Sequence, residues 1–87
     1  MKKNIETYKT MLTEVFSLEP YSKERYEKVE EIKQFEKETG LSHRGYELDL
    51  KNKTIKCDIL TKNNGLYETL ETFTINKITN IDEYQPF

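Results

Sequence analysis

Hydrophobic residues recur at helical spacing over the first part of the chain. Residues three and four positions apart lie on one face of an α-helix. In the first segment the apolar residues with this spacing are Ile5, Tyr8, Met11, Leu12, Val15 and Phe16. We predict a first helix that is capped by Asn4 and ends by Leu18, ahead of Pro20.

A second helix is predicted from Ser22, whose hydroxyl can cap the first turn, to Gly40, which can end the last turn. Its apolar residues advance by three, which spreads them over about half of the helix circumference. These residues are Tyr26, Val29, Ile32 and Phe35. Such a helix should contact more than one neighbour. The other positions are almost all charged, which favours a solvated face over an interaction surface.

From Gly45 onward the apolar period changes to two, which is typical of β-strands. A turn over residues 51–54 separates two alternating segments. The predicted register places three apolar pairs on the inner face of this first hairpin: Tyr46 with Ile59, Leu48 with Cys57, and Leu50 with Ile55. Asn64 and Gly65 then predict a tight turn, because this pair readily adopts positive φ angles.

The third predicted strand, from Leu66 to Ile75, does not fit a single face. With a two-residue turn, Leu70 faces inward, whereas Phe73 and Ile75 fall on the outer side. Either both faces of the sheet are buried, or a bulge near Glu71 reverses the end of the strand.

Together these patterns predict an α+β fold in one small domain over residues 1–87. Two N-terminal helices precede a three-stranded antiparallel β-meander. Apolar residues recur at every third position after Ile75, which leaves open a short fourth strand, a helical turn or an irregular tail for residues 76–87. With 34% hydrophobic residues, the chain has little apolar material for a core. The apolar residues that this core does not reach, among them Leu60, Tyr67 and Phe73, therefore point to a second apolar surface, where we expect the function to lie.

The outer face of the predicted sheet carries three carboxylates. The same register places Glu47, Asp58 and Glu71 side by side across the three strands. Like charges in opposed positions destabilise a sheet, so this row is a candidate cation or acid/base site. Because Lys56 lies beside the row and can neutralise it, we expect no metal to bind there.

The other reactive residue types favour structural interpretations. His43 precedes the first predicted strand, and no nucleophile lies at a recognisable spacing from it, so we expect an exposed loop residue. Cys57 alternates with Ile55 and Ile59, which predicts a core position. The sequence therefore predicts a protein that is not an enzyme and that holds no cofactor or metal.

Composition and charge narrow the possible partners. With 14 basic and 16 acidic residues, the net charge of -2 gives no overall attraction to nucleic acid or anionic lipid. The chain has no long apolar run, so we expect a cytoplasmic protein that does not bind membranes. Alanine and tryptophan are absent, whereas lysine, asparagine, isoleucine and threonine are plentiful. This bias suits AT-rich coding sequence, as in a phage or mobile element.

Our preferred hypothesis is a protein-binding module. Apolar side chains surrounded by charge on a sheet face are typical of interaction sites. The candidate partner-binding residues are Glu47, Asp58, Leu60, Tyr67, Glu71 and Phe73. The partner is a second copy of the chain or a host protein, which this protein modulates or inhibits by presenting its carboxylates to a basic groove.

An alternative hypothesis is an accessory protein that binds nucleic acid through the first hairpin. Lysines there can contact phosphates, and nearby tyrosines can stack on bases. The candidate contacts are Lys51, Lys53, Lys56 and Lys62. Acidic residues on the same strands dilute this basic patch.

Overall fold

The computed structural model describes residues 2–76 and residue 78. Its elements are α1 (Lys2–Ser17), α2 (Lys23–Thr39), β1 (Leu41–Asp49), β2 (Thr54–Asn63) and β3 (Leu66–Ile75). The strands form one antiparallel sheet in the order β1-β2-β3. The predicted α+β fold, with two helices before a three-stranded meander, is thus confirmed. Most of the predicted C-terminal segment lies outside the described residues.

Helix α1 buries the face that its apolar spacing predicts. Tyr8, Leu12 and Val15 are fully buried, and Phe16 is nearly so. The helix begins at Lys2, so the prediction that Asn4 caps it is wrong.

Both predicted caps of α2 are confirmed. The Ser22 hydroxyl accepts a hydrogen bond of 3.2 Å from the backbone N–H of Arg25. At the other end, Gly40 adopts the left-handed conformation, with φ of 78°, and its N–H donates to the Glu36 carbonyl over 2.9 Å. Of the broad apolar stripe only Ile32 is fully buried. The apolar stripe of α2 is therefore wider than the surface that α1 and the sheet cover.

We expect Gly40→Ala to lower the free energy of unfolding by about 1 kcal/mol, because an L side chain disfavours positive φ. A Cβ atom at this position would have no atom within 4 Å, so the cost is conformational rather than steric. Gly40→Asn is the control, since asparagine tolerates this conformation better. Urea denaturation measures both variants. An alanine variant as stable as the wild type would contradict the prediction.

Strand β1 begins earlier than its alternation predicts. It starts at Leu41, directly after the cap of α2, so His43 and Arg44 lie in a strand and not in a loop. The expectation of an exposed loop histidine is wrong. Leu41 is buried in the core, which explains why the strand starts there.

The predicted register of the first hairpin is also wrong. Tyr46 pairs with Lys56, not with Ile59, and the register shifts between Tyr46 and Asp49. Glu47 has a φ of 52° in this irregular segment. The shift ends the regular alternation on which the prediction depended. As a result, Leu48 and Leu50 are 40% and 59% exposed, although the sequence pattern placed them in the core.

The second hairpin follows one of the two predicted alternatives. Asn64 and Gly65 form the turn with φ of 53° and 82°. A bulge lies near Glu71, because Leu60 pairs with Thr69 while Ile59 pairs with Glu71. Beyond the bulge the pairs on the inner face are Cys57 with Phe73 and Ile55 with Ile75. The bulge turns the apolar end of β3 toward the helices.

The core lies between the two helices and the inner face of the sheet, by which we mean the side that faces the helices. The sheet contributes Leu41, Ile55, Cys57, Ile59 and Ile75. Burial raises the pKa of the Cys57 thiol to about 12, as expected for the predicted core cysteine.

Candidate functional site

The three predicted carboxylates do not form a row across the sheet. Asp58 lies opposite Arg44 on one side and Thr72 on the other. Glu71 lies opposite Ile59 on the inner face, and Glu47 lies within the irregular segment of β1. The predicted placement on one face is wrong because each neighbouring strand contains a register shift.

Asp58 is a buried carboxylate with internal partners. It is 5% exposed. Arg44 Nη2 donates to Asp58 Oδ2 over 2.8 Å, and Thr72 Oγ1 donates to Oδ1 over 2.8 Å. The hydrogen bond from Arg44, and then that from Thr72, hold the pKa of Asp58 below its ordinary value. Asp58 therefore joins all three strands on the outer face, the side of the sheet away from the helices.

The other two carboxylates form ion pairs with lysines. Glu47 lies 2.9 Å from Lys56 Nζ, in a pair whose side chains are both more than half exposed. Glu71 accepts a hydrogen bond of 3.0 Å from Lys9 of α1, whose ammonium also lies 3.2 Å from Glu6. The exposed pair of Glu47 with Lys56 contributes little to stability. The Lys9 contact shows that Glu71 points toward the helices.

The three predicted apolar contact residues lie in different environments. Leu60 is buried. It follows Asp58 by two residues on β2, so both side chains lie on the outer face. Phe73 packs against the core on the inner face, with Lys9 Nζ 5.8 Å from its ring centroid. Tyr67 alone is well exposed, at 65%. A role in partner binding stays a prediction for all three residues.

The four candidate lysines are spread along the sheet. Lys51 and Lys53 lie in the β1–β2 turn, where the Asp49 carboxylate accepts hydrogen bonds from two backbone N–H groups. Lys62 lies at the other end of β2, roughly 25 Å away for eight residues of extended chain. Lys56 pairs with Glu47. The lysines thus form no single patch.

The structure also contains a polar network that the sequence analysis did not identify. It joins Tyr8 of α1, Glu36 of α2 and His43 of β1. The Tyr8 hydroxyl donates to Glu36 Oε2. His43 Nδ1 lies 2.8 Å from the Tyr8 hydroxyl oxygen and 3.1 Å from Glu36 Oε2. Nδ1 donates to Glu36 in the tautomer that carries the ring proton there, and accepts from the Tyr8 hydroxyl in the other tautomer.

Opposing effects determine the ionisation of this network. Burial, followed by the hydrogen bond to Glu36, raises the pKa of the Tyr8 hydroxyl above its ordinary range. Burial acts to raise the pKa of Glu36 too, but the hydrogen bonds from His43 and Tyr8 outweigh it, so the pKa is lowered. Tyr8 is fully buried, and this network links the two helices to the sheet.

The local sequence gives little indication of this network. Tyr8 lies 28 residues from Glu36 and 35 from His43. Its apolar spacing correctly placed Tyr8 in the core. A buried tyrosine hydroxyl needs a hydrogen-bond partner, and the only histidine of the sequence is one candidate for that partner.

Several large apolar side chains are exposed at the ends of the sheet and near the α1–α2 connection. They are Tyr21, Tyr26, Leu48, Leu50, Leu66 and Tyr67. Among the residues that the structure describes, no group of three or more His, Cys, Asp or Glu side chains is placed to hold a metal ion. Within the same part of the chain, no helix has the length and apolar character needed to cross a membrane.

Comparisons with known proteins found no match. The sequence matches no known protein family and no curated protein, and the fold matches no solved structure.

Proposed function

We propose that this chain is a small non-enzymatic module that binds another protein through the end of its sheet at the β2–β3 turn. The observation that carries the proposal is the exposure of two consecutive apolar residues, Leu66 at 74% and Tyr67 at 65%. A chain with so few hydrophobic residues leaves both in contact with water. The two side chains alternate to opposite faces of β3, so a partner that covers the end of the sheet contacts both. Tyrosine is enriched in such interaction sites.

The surroundings of Tyr67 suit a protein partner. Tyr67 pairs with Lys62 across the strands, so the aromatic ring has a charged neighbour on the outer face. Glu68 and Thr69 follow it and are exposed. An aromatic anchor with a polar rim is the common arrangement of a binding surface.

The proposed partner is a host protein that this module modulates or inhibits, with a second copy of the chain as the simpler possibility. The alanine-free composition supports an origin in a phage or mobile element. Glu71 and Phe73 face α1, so a partner that covers Tyr67 does not reach them from the outer face. We therefore centre the proposed contact on Leu66, Tyr67 and Lys62.

The double variant Leu66→Ser/Tyr67→Ser is expected to lose partner capture while staying folded, because both side chains are exposed. The matched control is Leu48→Ser/Leu50→Ser, which removes exposed apolar residues at the other end of the sheet. Affinity capture from bacterial lysate, combined with sedimentation, measures hetero- and self-association. The expected result is a protein retained by the wild type and the control but lost with the first variant. Equal retention by all three proteins, or a wild type that remains an unpartnered monomer, would contradict the proposal.

A second candidate function is the binding of nucleic acid through the β1–β2 turn. Lys51, Asn52 and Lys53 are all exposed at its tip, where phosphates have access to them. An electrophoretic shift assay at low salt separates the two proposals. Micromolar protein that shifts neither DNA nor RNA removes this alternative.

A further inference from the structure

A shallow groove lies along α2 where this helix meets α1. Its floor consists of Met11 from α1 and Phe35 from α2, which are both only partly buried against the core. The other lining residues belong to α2 and are Glu27, Glu30, Glu31, Gln34 and Glu38. Among the described residues, none that lines the groove is basic. An apolar floor thus has a rim that is almost entirely acidic.

The acidic rim follows one line of the helix. Glu27, Glu31, Gln34 and Glu38 are separated by four, three and four residues, which places them within about 60° of one another around the helix axis. Phe35 lies directly beside this line. Where two helices pack side by side, the residues at this spacing are usually apolar. On α2 most of them are carboxylates, over about 16 Å of helix.

Lysines near the rim neutralise it only in part. Lys23 lies 3.9 Å from Glu27, and Lys33 lies 3.8 Å from Glu30, in pairs whose side chains are all more than half exposed. Such long, exposed pairs are weak. Glu38 accepts a hydrogen bond of 2.9 Å from the neutral amide of Gln34.

Lys28 forms a shorter pair, 3.0 Å from Glu31, and it also lies 2.8 Å from Glu14 of α1. It therefore connects the two helices and neutralises Glu31 in part. A cation from outside the chain can still bring favourable charge to Glu27 and Glu38.

We propose that this groove binds a basic amphipathic helix of a partner protein. The partner helix presents lysine or arginine at spacings of four and three toward Glu27, Glu31 and Glu38, and one apolar side chain contacts Met11 and Phe35. A partner helix repeats its side chains at the same spacings of three and four as the row on α2, so the two rows can face each other. An extended strand repeats its side chains every two residues and cannot match the row. Like-charge repulsion excludes acidic helices and nucleic acid. This surface is separate from the Leu66 and Tyr67 end of the sheet.

A fluorescent synthetic peptide provides the probe. It carries lysines at the 4-3-4 spacing around a central leucine, and a scrambled peptide of the same composition is its control. Fluorescence anisotropy is measured at about 0.05 M and about 0.3 M salt, where the Debye length falls from roughly 14 Å to roughly 6 Å. We expect the patterned peptide to bind more tightly than the scrambled one and to lose affinity severalfold at the higher salt. Equal binding of the two peptides would overturn the proposal.

Matched charge variants of the protein locate the binding site. Glu27→Gln/Glu38→Gln removes two carboxylates from the rim, and Glu47→Gln/Glu68→Gln removes two exposed carboxylates from the sheet. We expect the first variant to bind the patterned peptide about fivefold to tenfold more weakly, and the second to bind it nearly as well as the wild type. Equal losses in both variants would overturn the proposal by showing that only net charge matters.

The outcome is independent of the proposed sheet surface. Leu66→Ser/Tyr67→Ser should bind the peptide with unchanged affinity. Circular dichroism verifies that each variant keeps its helices. A groove without peptide affinity, in a protein that still captures a partner through Tyr67, would remove this inference and leave the proposed function intact.

Discussion

Ile32→Ala is expected to lower the free energy of unfolding by about 2–5 kcal/mol, which is the usual cost of truncating a fully buried isoleucine. Ile32 is the one α2 residue that is fully buried, and it belongs to the core cluster formed with α1 and the sheet. The truncation removes the main apolar contact of α2 and leaves a cavity behind it. Domains of this size have little stability to spare, so the change represents a large fraction of the total.

Tyr26→Ala is the control for this prediction. It lies on the same apolar stripe two turns earlier but is 61% exposed, so its truncation should change stability by no more than about 0.5 kcal/mol. Urea denaturation followed by circular dichroism measures both variants. Similar losses of stability in the two variants would contradict the prediction, because the contact of α2 with the core would then not centre on Ile32.

The second large effect is expected from Glu36→Leu, which removes the acceptor shared by Tyr8 and His43. In the variant, His43 Nδ1 remains as the partner of the fully buried Tyr8 hydroxyl, but the contacts of both residues with the Glu36 carboxylate are lost. A hydrogen bond to a charged group contributes about 1.5–3 kcal/mol, and we expect a loss of stability of this size. The loss should appear at neutral pH in thermal or urea unfolding.

The pH dependence of the Glu36→Leu effect has a definite sign. The pKa of Glu36 lies below its ordinary value of 4.5 in the folded protein, so folding favours the ionised carboxylate. That stabilisation is fully present above pH 4.5 and is lost as the pH falls through the folded pKa. The difference in stability between the wild type and the variant should therefore shrink below about pH 4.5. Asp58 changes stability in the same direction but is common to both proteins, so the comparison isolates Glu36.

Glu30→Leu is the control for the network. Glu30 is exposed on α2, and its one described ion pair, with Lys33, is long. Its replacement should leave stability nearly unchanged at neutral pH. A loss as large as that of Glu36→Leu would mean that any charge removed from α2 has the same effect, and would contradict the structural role of Tyr8 and His43.

The two proposed binding surfaces use different physical features of the same small chain. At the end of the sheet, Leu66 and Tyr67 are left exposed beyond the core. In the helical groove, Phe35 and Met11 remain only partly covered and lie next to a line of carboxylates. The charged face of α2, which the sequence pattern favoured as a merely solvated surface, gains a proposed role from its position beside an apolar floor.

Local signals determined the features that the sequence predicted correctly. The caps at Ser22 and Gly40 depend on groups within a few residues of them, and so does the turn at Asn64. The apolar spacing of α1 needs only one helix to define its buried face. These signals fixed the α+β class and the order of the elements before any tertiary contact was known.

Tertiary structure decided which side chains the strands bring together. One irregular segment at Glu47 moved Leu48 and Leu50 out of the core, and the bulge before Glu71 separated that carboxylate from Asp58. A strand register is set by the sum of cross-strand and helix contacts, and a one-residue slip reverses every side chain beyond it. For the same reason the sequence alone could identify neither the Tyr8, Glu36 and His43 network nor the groove of α2. Both form only where separate elements meet.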